Sequence, residues 1–299
     1  MSNSQDAPQH THRTGYAALV GRPNAGKSTL MNAILGEKIS ITTHKPQTTR
    51  HQLLGIFSDE NTQIVFLDTP GIIDPTYKLQ EAMMKSVDRA KNDADVLLYI
   101  VDASNPKSFK EPPPLLAEIR KPVITVINKI DLVTDETLNV LHETLDDKVQ
   151  TKERVEISAL GGEGVPELML KLKQYLPAGP PLYPEDQISE QPVRFFVSEM
   201  IREQVFLQFQ QEVPYSVAVE IVDYSEGEEM DEINANIVVN KDSQKGILIG
   251  KGGTAIKQLG IQARKEIEAF VGKQVHLQLF VKVRKNWRDK DNMVRYFGY

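Results

Sequence analysis

Short apolar runs alternate with longer stretches of helical periodicity through the first half of the chain. Tyr16–Val20, Gln63–Leu67, Val96–Val101, Val123–Ile127 and Arg154–Ile157 are rich in Val, Ile, Leu and Tyr and predict strands. Between them Lys27–Leu35, closed by Gly36, and Leu79–Asn92, Asp135–Asp146 and Val165–Leu176 carry apolar residues at three- and four-residue steps and predict helices. Strands alternating with helices imply a mostly parallel sheet covered on both faces. Leu53–Phe57 and Gln63–Leu67 flank the turn-like Ser58-Asp59-Glu60-Asn61, which predicts one antiparallel hairpin in that sheet.

Pro177-Ala178-Gly179-Pro180-Pro181-Leu182-Tyr183-Pro184 breaks the alternation. Prolines at that density continue no helix and enter no sheet centre, so the segment predicts a stiff, extended linker. A different pattern follows: a helix over Gln191–Gln211, strands over Tyr215–Asp223 and Ile233–Asn240 around an acidic turn, a Gly-rich turn, a helix over Thr254–Val271 and a strand over Val275–Val283. The division expected is a disordered tail at 1–14, an α/β domain at 15–177, a linker at 178–190 and an α+β domain at 191–299.

Charge sharpens the division. From Lys241 to Tyr299 there are thirteen basic and five acidic residues, whereas the rest of the chain is acidic enough to bring the total to −6. A basic end on an acidic body points to a polyanionic partner. No apolar run spans a bilayer, the polar start is no signal peptide, and without cysteine there is neither disulfide scaffold nor thiolate chemistry. A cytoplasmic, soluble protein is expected, and without a heptad seam a monomer is the default.

The chemistry begins directly after the first strand. Gly21-Arg22-Pro23-Asn24-Ala25-Gly26-Lys27-Ser28-Thr29 fits G-x-x-x-x-G-K-[ST]. Such a loop turns its N–H groups onto a β-phosphate at a helix N-terminus, Lys27 reaches the β- and γ-phosphates, and the Ser28 hydroxyl can ligate Mg²⁺. Asp68-Thr69-Pro70-Gly71 ends the third strand, where a nucleotide site places a Mg²⁺-side carboxylate and a γ-phosphate-facing N–H. Asn128-Lys129-Ile130-Asp131 follows the fifth strand, and the Asp131 carboxylate can accept N1–H and the 2-amino group of guanine. Adenine lacks both donors and would leave that carboxylate unpaired. Ser158-Ala159-Leu160 ends the next strand, with the Ala159 N–H a candidate donor to guanine O6. Four segments in this order, each at a strand's C-terminal end, predict a site for GTP and GDP.

Near the C-terminus Gly250-Lys251-Gly252-Gly253 precedes a helix whose Ile256, Leu259, Ala263, Ile267 and Phe270 share one face. G-x-x-G before a helix lets a sugar–phosphate backbone approach closely, as in KH modules. Lys282, Arg284, Lys285, Arg288 and Lys290 surround Trp287, which adds phosphate contacts and a stacking candidate. Trp287 could instead simply pack on the domain, or sit with these cations at an anionic membrane surface.

In the order of these motifs the chain resembles a translation-factor-type GTPase, and over about Tyr16–Tyr299 it resembles the bacterial Era family. Lys45-Pro46-Gln47-Thr48-Thr49-Arg50, Pro214-Tyr215-Ser216-Val217 and Ile249-Gly250-Lys251-Gly252-Gly253 carry the likeness. It implies an α/β P-loop GTPase domain followed by a type II KH domain. It also implies a Mg²⁺ and γ-phosphate ligand from the threonine loop: Thr49, with Thr48, Thr42 and Thr43 as competitors. Lys27, Thr49 and Gly71 would then carry catalysis, and Ser28, Thr49 and Asp68 the metal. Ile72 stands where many regulatory GTPases have a water-orienting Gln, so slow intrinsic hydrolysis is expected. Some relatives with an Asn at the position of Asn24 use a K⁺ ion there. The family further implies binding to the 3′ end of 16S rRNA, a role in 30S subunit maturation and peripheral contact with the inner membrane. An RNA-binding assembly protein that senses guanine nucleotide with negligible hydrolysis is the alternative. A P-loop ATPase or kinase conflicts with Asn128 and Asp131.

Overall fold

The computed structural model describes residues 12–299. The expected tail therefore lies mostly outside the described residues, and its last part is not tail. Strand β1 runs from Arg13 to Gly21, because Arg13 N–H donates to Asn61 O and Thr14 N–H to Pro177 O.

The chain divides into two compact units, and neither is continuous in sequence. The first comprises residues up to Ser40, Gln52–Ile72 and Ser86–Glu190; the second comprises Ile41–His51, Ile73–Lys85 and Gln191–Tyr299.

In the first unit β1 leads into α1 (Lys27–Leu35), then β2 (Leu53–Asp59) and β3 (Thr62–Asp68). Next come α2 (Lys78–Asp93, whose first part belongs to the second unit), β4 (Val96–Asp102), the short α3 (Lys107–Lys110) and β5 (Val123–Asn128). The unit closes with α4 (Asp135–Lys148), β6 (Glu153–Ile157) and α5 (Val165–Gln174). The sheet order is β2-β3-β1-β4-β5-β6, parallel except for the β2–β3 hairpin. β3, β4 and β5 are buried along their whole length, as central strands covered on both faces must be. The nucleotide-type loops leave the C-terminal ends of β1, β3, β5 and β6.

Pro177–Glu190 is not a free tether. The Gln63 side chain, 1% exposed at the base of β3, accepts from the Leu182 and Tyr183 N–H groups and donates to Tyr183 O. Farther along, Ile56 N–H donates to Ile188 O and Ser189 Oγ to Leu54 O. Proline removes donors but not acceptors, so the segment docks along β2 and remains within the first unit.

The second unit contains α6 (Val193–Gln208), β7 (Ala218–Ser225), β8 (Met230–Val239), α7 (Asp242–Ile249), α8 (Thr254–Val271), β9 (Gln274–Val283) and α9 (Asp291–Tyr296). Its sheet order is β7-β8-β9, with β8 and β9 parallel. The expected Gly-rich turn after β8 is mostly the helix α7. Gln244 closes that helix's first turn by accepting from the Asn240 and Lys241 N–H groups. The core joins Val197, Ile201 and Val205 of α6 to Leu259, Ala263 and Ile267 of α8 over Ile233, Ala235 and Ile237 of β8.

Candidate guanine-nucleotide site and KH loop

The P-loop curls because two residues adopt left-handed backbone, Asn24 at φ 63° and Gly26 at φ 96°. A Cβ on Gly26 would lie 2.1 Å from Asn128 Nδ2, so only glycine fits there. Asn128 is the brace of the site. Its Nδ2 donates to Ala25 O (2.8 Å), and its Oδ1 accepts the Ala159 N–H (2.9 Å). One side chain thereby ties the loops after β1, β5 and β6 together. The Ala159 amide, expected as the donor to guanine O6, here donates to Asn128 Oδ1.

Lys27 is buried and its ammonium donates to Gly21 O (3.2 Å) and Arg22 O (3.0 Å). Desolvation lowers its pKa to about 8, with Asp68 pulling the other way. Asp68 is fully buried, and burial pushes its carboxyl up despite hydrogen bonds from Ser28 and Ser40 and the charge of Lys27. Its Oδ2 accepts from Ser28 Oγ (2.7 Å) and Ser40 Oγ (2.8 Å), while its Oδ1 is buried with no partner. A hydroxyl beside an unsatisfied buried carboxylate oxygen fits a hard divalent cation, which oxygen donors prefer.

Asp131 is exposed at the mouth of the site, on a turn entered through Lys129, whose φ is 69°. Lys129 Nζ pairs with Asp102 Oδ2 at 2.6 Å, which fixes the side chain. Ser158 Oγ accepts the Gly161 N–H and holds its own loop. Leu160 is exposed on the rim, and Gly71 packs so closely on Pro23 that a Cβ would lie 2.7 Å from its backbone.

Two side chains of the expected site make bonds within the protein. Thr69 is buried and donates to Leu19 O at 2.6 Å, so its hydroxyl secures β1 rather than facing a ligand. Arg22 bonds Glu111 O at 2.9 Å. Sequence reasoning missed Ser40, Asn32 and Asp102. Asn32 fixes Ser40 by accepting the Ile39 and Ser40 N–H groups and donating to Ser40 O. Asp102 was legible only as the polar end of β4. Thr49 lies on the Ile41–His51 segment and belongs to the second unit.

In the second unit Gly250, Gly252 and Gly253 all have positive φ, and a Cβ on Gly252 would meet nothing within 4 Å. Beside this loop, a cavity of about 330 Å³ is lined by Ile256, Lys257, Gly260, Ile261 and Arg264 of α8 and Leu277 and Leu279 of β9. Lys251 is exposed at the loop tip. Lys257 and Arg264 are cations the sequence reading did not select. Phe270 is half-exposed rather than core, tilted against Phe196.

The basic cluster is corrected more strongly. Trp287 is fully buried, donates to Ser216 O (2.9 Å) and packs among Leu79, Met83, Val238 and Val294, so it cannot stack on a base. Arg288 lies over the Tyr77 ring at 4.4 Å, and Arg284 over Tyr296 at 5.6 Å. Lys282 alternates onto the face of β9 opposite Leu277 and Leu279, away from the cavity. Of the cluster, Lys285 and Lys290 are exposed with neither a ring nor an opposite strand face to occupy them. Among the described residues no helix is long and apolar enough to cross a membrane.

Two family models match: the 50S ribosome-binding GTPase family over residues 16–129 and the KH domain over residues 212–288. The chain is 42% identical to GTPase Era of Carboxydothermus hydrogenoformans, over 97% of this chain and 98% of that protein. It is 43% identical to GTPase Era of Nitratidesulfovibrio vulgaris, with the same coverage. Among solved structures it is similar to an Era in complex with MgGDPNP and nucleotides 1506–1542 of 16S ribosomal RNA. The TM-score there is 0.92 and the identity 39%, over 96% of this chain and 99% of that one. A variant of Aquifex aeolicus Era bound to GDP·AlF4⁻ matches with a TM-score of 0.91, 39% identity and the same coverage. With a guanine-selective P-loop site, a G-x-x-G loop and near full-length likeness on one chain, this protein belongs to the GTPase Era family.

Proposed function

We propose that the chain is a GTP-binding and GTP-hydrolysing switch that binds the 3′ end of 16S rRNA and assists maturation of the 30S subunit. The observation that carries the nucleotide half is the orphaned Asp68 Oδ1 beside the Ser28 hydroxyl, at the foot of a loop that Asn128 braces. The open G-x-x-G loop with its cation-flanked cavity supports the RNA half.

In this reading Ser28, Asp68 and Thr49 hold Mg²⁺. When bound, the ion neutralises charge on the β- and γ-phosphate oxygens. The chain's own residues do the rest. P-loop N–H groups fix the phosphates, Lys27 places its ammonium on them, the Gly71 N–H faces the γ-phosphate, and Asp131 selects guanine. Ile72 offers no hydrogen bond to water, so turnover is slow without an activator. K⁺ beside Asn24 is a finer part of the proposal, tested by comparing rates in sodium and potassium. Peripheral contact with anionic membrane is another, tested by vesicle sedimentation.

The deciding experiment measures binding of an RNA matching the small-subunit rRNA 3′ end, with a GTP analogue and with GDP, to wild type and Gly252→Asp. Tight binding by wild type, lost in the variant while GDP affinity is kept, is expected. Undiminished binding by the variant would move the RNA site elsewhere on the chain.

A further inference from the structure

Ser40 lies in the first unit, at the end of a loop that leaves α1 and turns inward. Glu37 and Lys38 are exposed, whereas Ile39 and Ser40 are 8% and 5% exposed. Apolar burial accounts for Ile39. It does not account for a hydroxyl, which is costly to bury without a partner. The Ser40 hydroxyl has one: it donates to Asp68 Oδ2 at 2.8 Å, 28 residues away along the chain. The backbone beside that hydroxyl is held as closely. Asn32 of α1 accepts the Ile39 N–H (3.1 Å) and the Ser40 N–H (3.0 Å) on Oδ1 and donates from Nδ2 to Ser40 O (2.9 Å). Ser40 is thereby fixed to the helix whose first turn carries Lys27 and Ser28.

Two donors on one oxygen decide how the Asp68 carboxylate faces. Oδ2 accepts from Ser28 Oγ (2.7 Å) and from Ser40 Oγ, while Oδ1 is buried without a hydrogen-bond partner. The torsion that turns an aspartate carboxylate is broad and soft, so a single contact leaves its plane free to rotate. A second contact from a separately anchored hydroxyl removes that freedom. Ser28 belongs to the P-loop and meets the cation itself in the reading above. Ser40 stands outside the P-loop, and Asn32 holds it in place in the absence of any nucleotide.

We propose that Ser40 is a positioning residue for the divalent cation: held by Asn32, it pins Asp68 Oδ2 and reserves Oδ1 for the metal and its water. This rests on the functional reading above, in which Ser28 and Asp68 meet Mg²⁺. Removing a partner that orients a metal-binding carboxylate typically weakens the metal about 10–100-fold. The loss falls on how tightly the metal is held, because Ser40 touches neither the base-reading Asp131 nor the loop that Asn128 braces.

The test uses the full chain as wild type, Ser40→Ala, Ser40→Thr and Asn32→Ala. The measurement is release of a fluorescent, non-hydrolysable GTP analogue, followed across a Mg²⁺ titration and in EDTA. Wild type is expected to hold the analogue longer as Mg²⁺ rises, with a half-saturating concentration that reports the metal. In Ser40→Ala that concentration should rise about tenfold, while release in EDTA stays within about twofold of wild type. Ser40→Thr keeps the hydroxyl and should return the concentration towards the wild-type value. Asn32→Ala leaves the hydroxyl but loosens its placement, and should raise the concentration by less. A merely structural defect gives a different pattern, with faster release in EDTA as well as in Mg²⁺. That pattern in Ser40→Ala, or an unchanged Mg²⁺ requirement, would overturn the proposal. So would a Ser40→Thr that melts like wild type yet behaves like Ser40→Ala. A wild type that binds the analogue without regard to Mg²⁺, or binds no guanine nucleotide, would instead remove the functional reading beneath it.

Discussion

Lys27 must be charged to meet phosphates, yet burial has lowered its ammonium to about 8. Between that value and the ordinary lysine range the unfolded chain holds a proton that the folded chain has released, so this group makes stability rise with pH in that window. Below about 8 both states are protonated and the desolvation cost is carried in full. Nucleotide binding has the opposite sign, because phosphate oxygens restore the ammonium. GDP affinity should therefore fall as pH rises above about 8, with up to one proton taken up per nucleotide. Calorimetry at pH 8.5 in buffers of different ionisation enthalpy measures that uptake, and Lys27→Met should abolish it. At the other end of the site, Asp131 offers two acceptor oxygens and is exposed. Asp131→Asn replaces one of them with a donor that faces the donors of guanine. GDP should bind about 100-fold more weakly, near 2–3 kcal/mol, while a xanthine nucleotide, with a carbonyl at C2, should gain. Equal losses for both bases would mean that Asp131 supports the loop rather than reads the base.

Elements were legible where their ends are written locally. Lys27–Leu35 and Thr254–Val271 match the sequence expectation because left-handed Gly36 and Gly272 stop them. α7 was not legible: its Gly246 and the following glycines read as a turn, and the side chain that closes it, Gln244, works through tertiary contacts. The same distinction runs through the site. The P-loop, Asp68, Asn128 and Asp131 form local motifs at strand ends. Ser40 and Asp102 become functional only because folding brings them to Asp68 and Lys129. Trp287 misled because an aromatic among cations reads as a nucleic-acid surface, whereas its indole N–H already had Ser216 O as a buried partner. The loops after β1, β5 and β6 have no shared backbone hydrogen-bond ladder, and Asn128 bonds to both of the others. Asn128→Ala should leave a buried carbonyl and a buried N–H unpaired, costing about 1–3 kcal/mol each at most. GDP affinity should drop more than the melting temperature, since the loops loosen while the sheet stays paired. Titration calorimetry alongside a thermal melt separates the two.

At the scale of the whole chain, neither compact unit corresponds to a continuous stretch of sequence. The second unit takes Ile41–His51 and Ile73–Lys85 from between strands of the first. These segments are part of its interior, not decoration. Leu79 and Met83 pack with Trp287, Ala218, Val238 and Val294, and His51 stacks on Tyr299 at 4.2 Å. A boundary drawn at the prolines, as the sequence suggests, would cut the segment that Gln63 holds in the first unit and strip the second of two of its pieces. A fragment spanning Gln191–Tyr299 should therefore be a poorer domain than the same residues in the full chain. Losing the cover of Leu79 and Met83 alone removes about 1.5–3 kcal/mol of apolar burial for each side chain, a large share of the stability of a small domain. The chain's single tryptophan reports on this directly. In the full chain Trp287 emission should be blue-shifted and poorly quenched by iodide. In the fragment it should shift to the red and be quenched readily, with a lower urea midpoint. If the fragment instead kept blue, protected emission and the midpoint of the full chain, the inserted segments would be passengers.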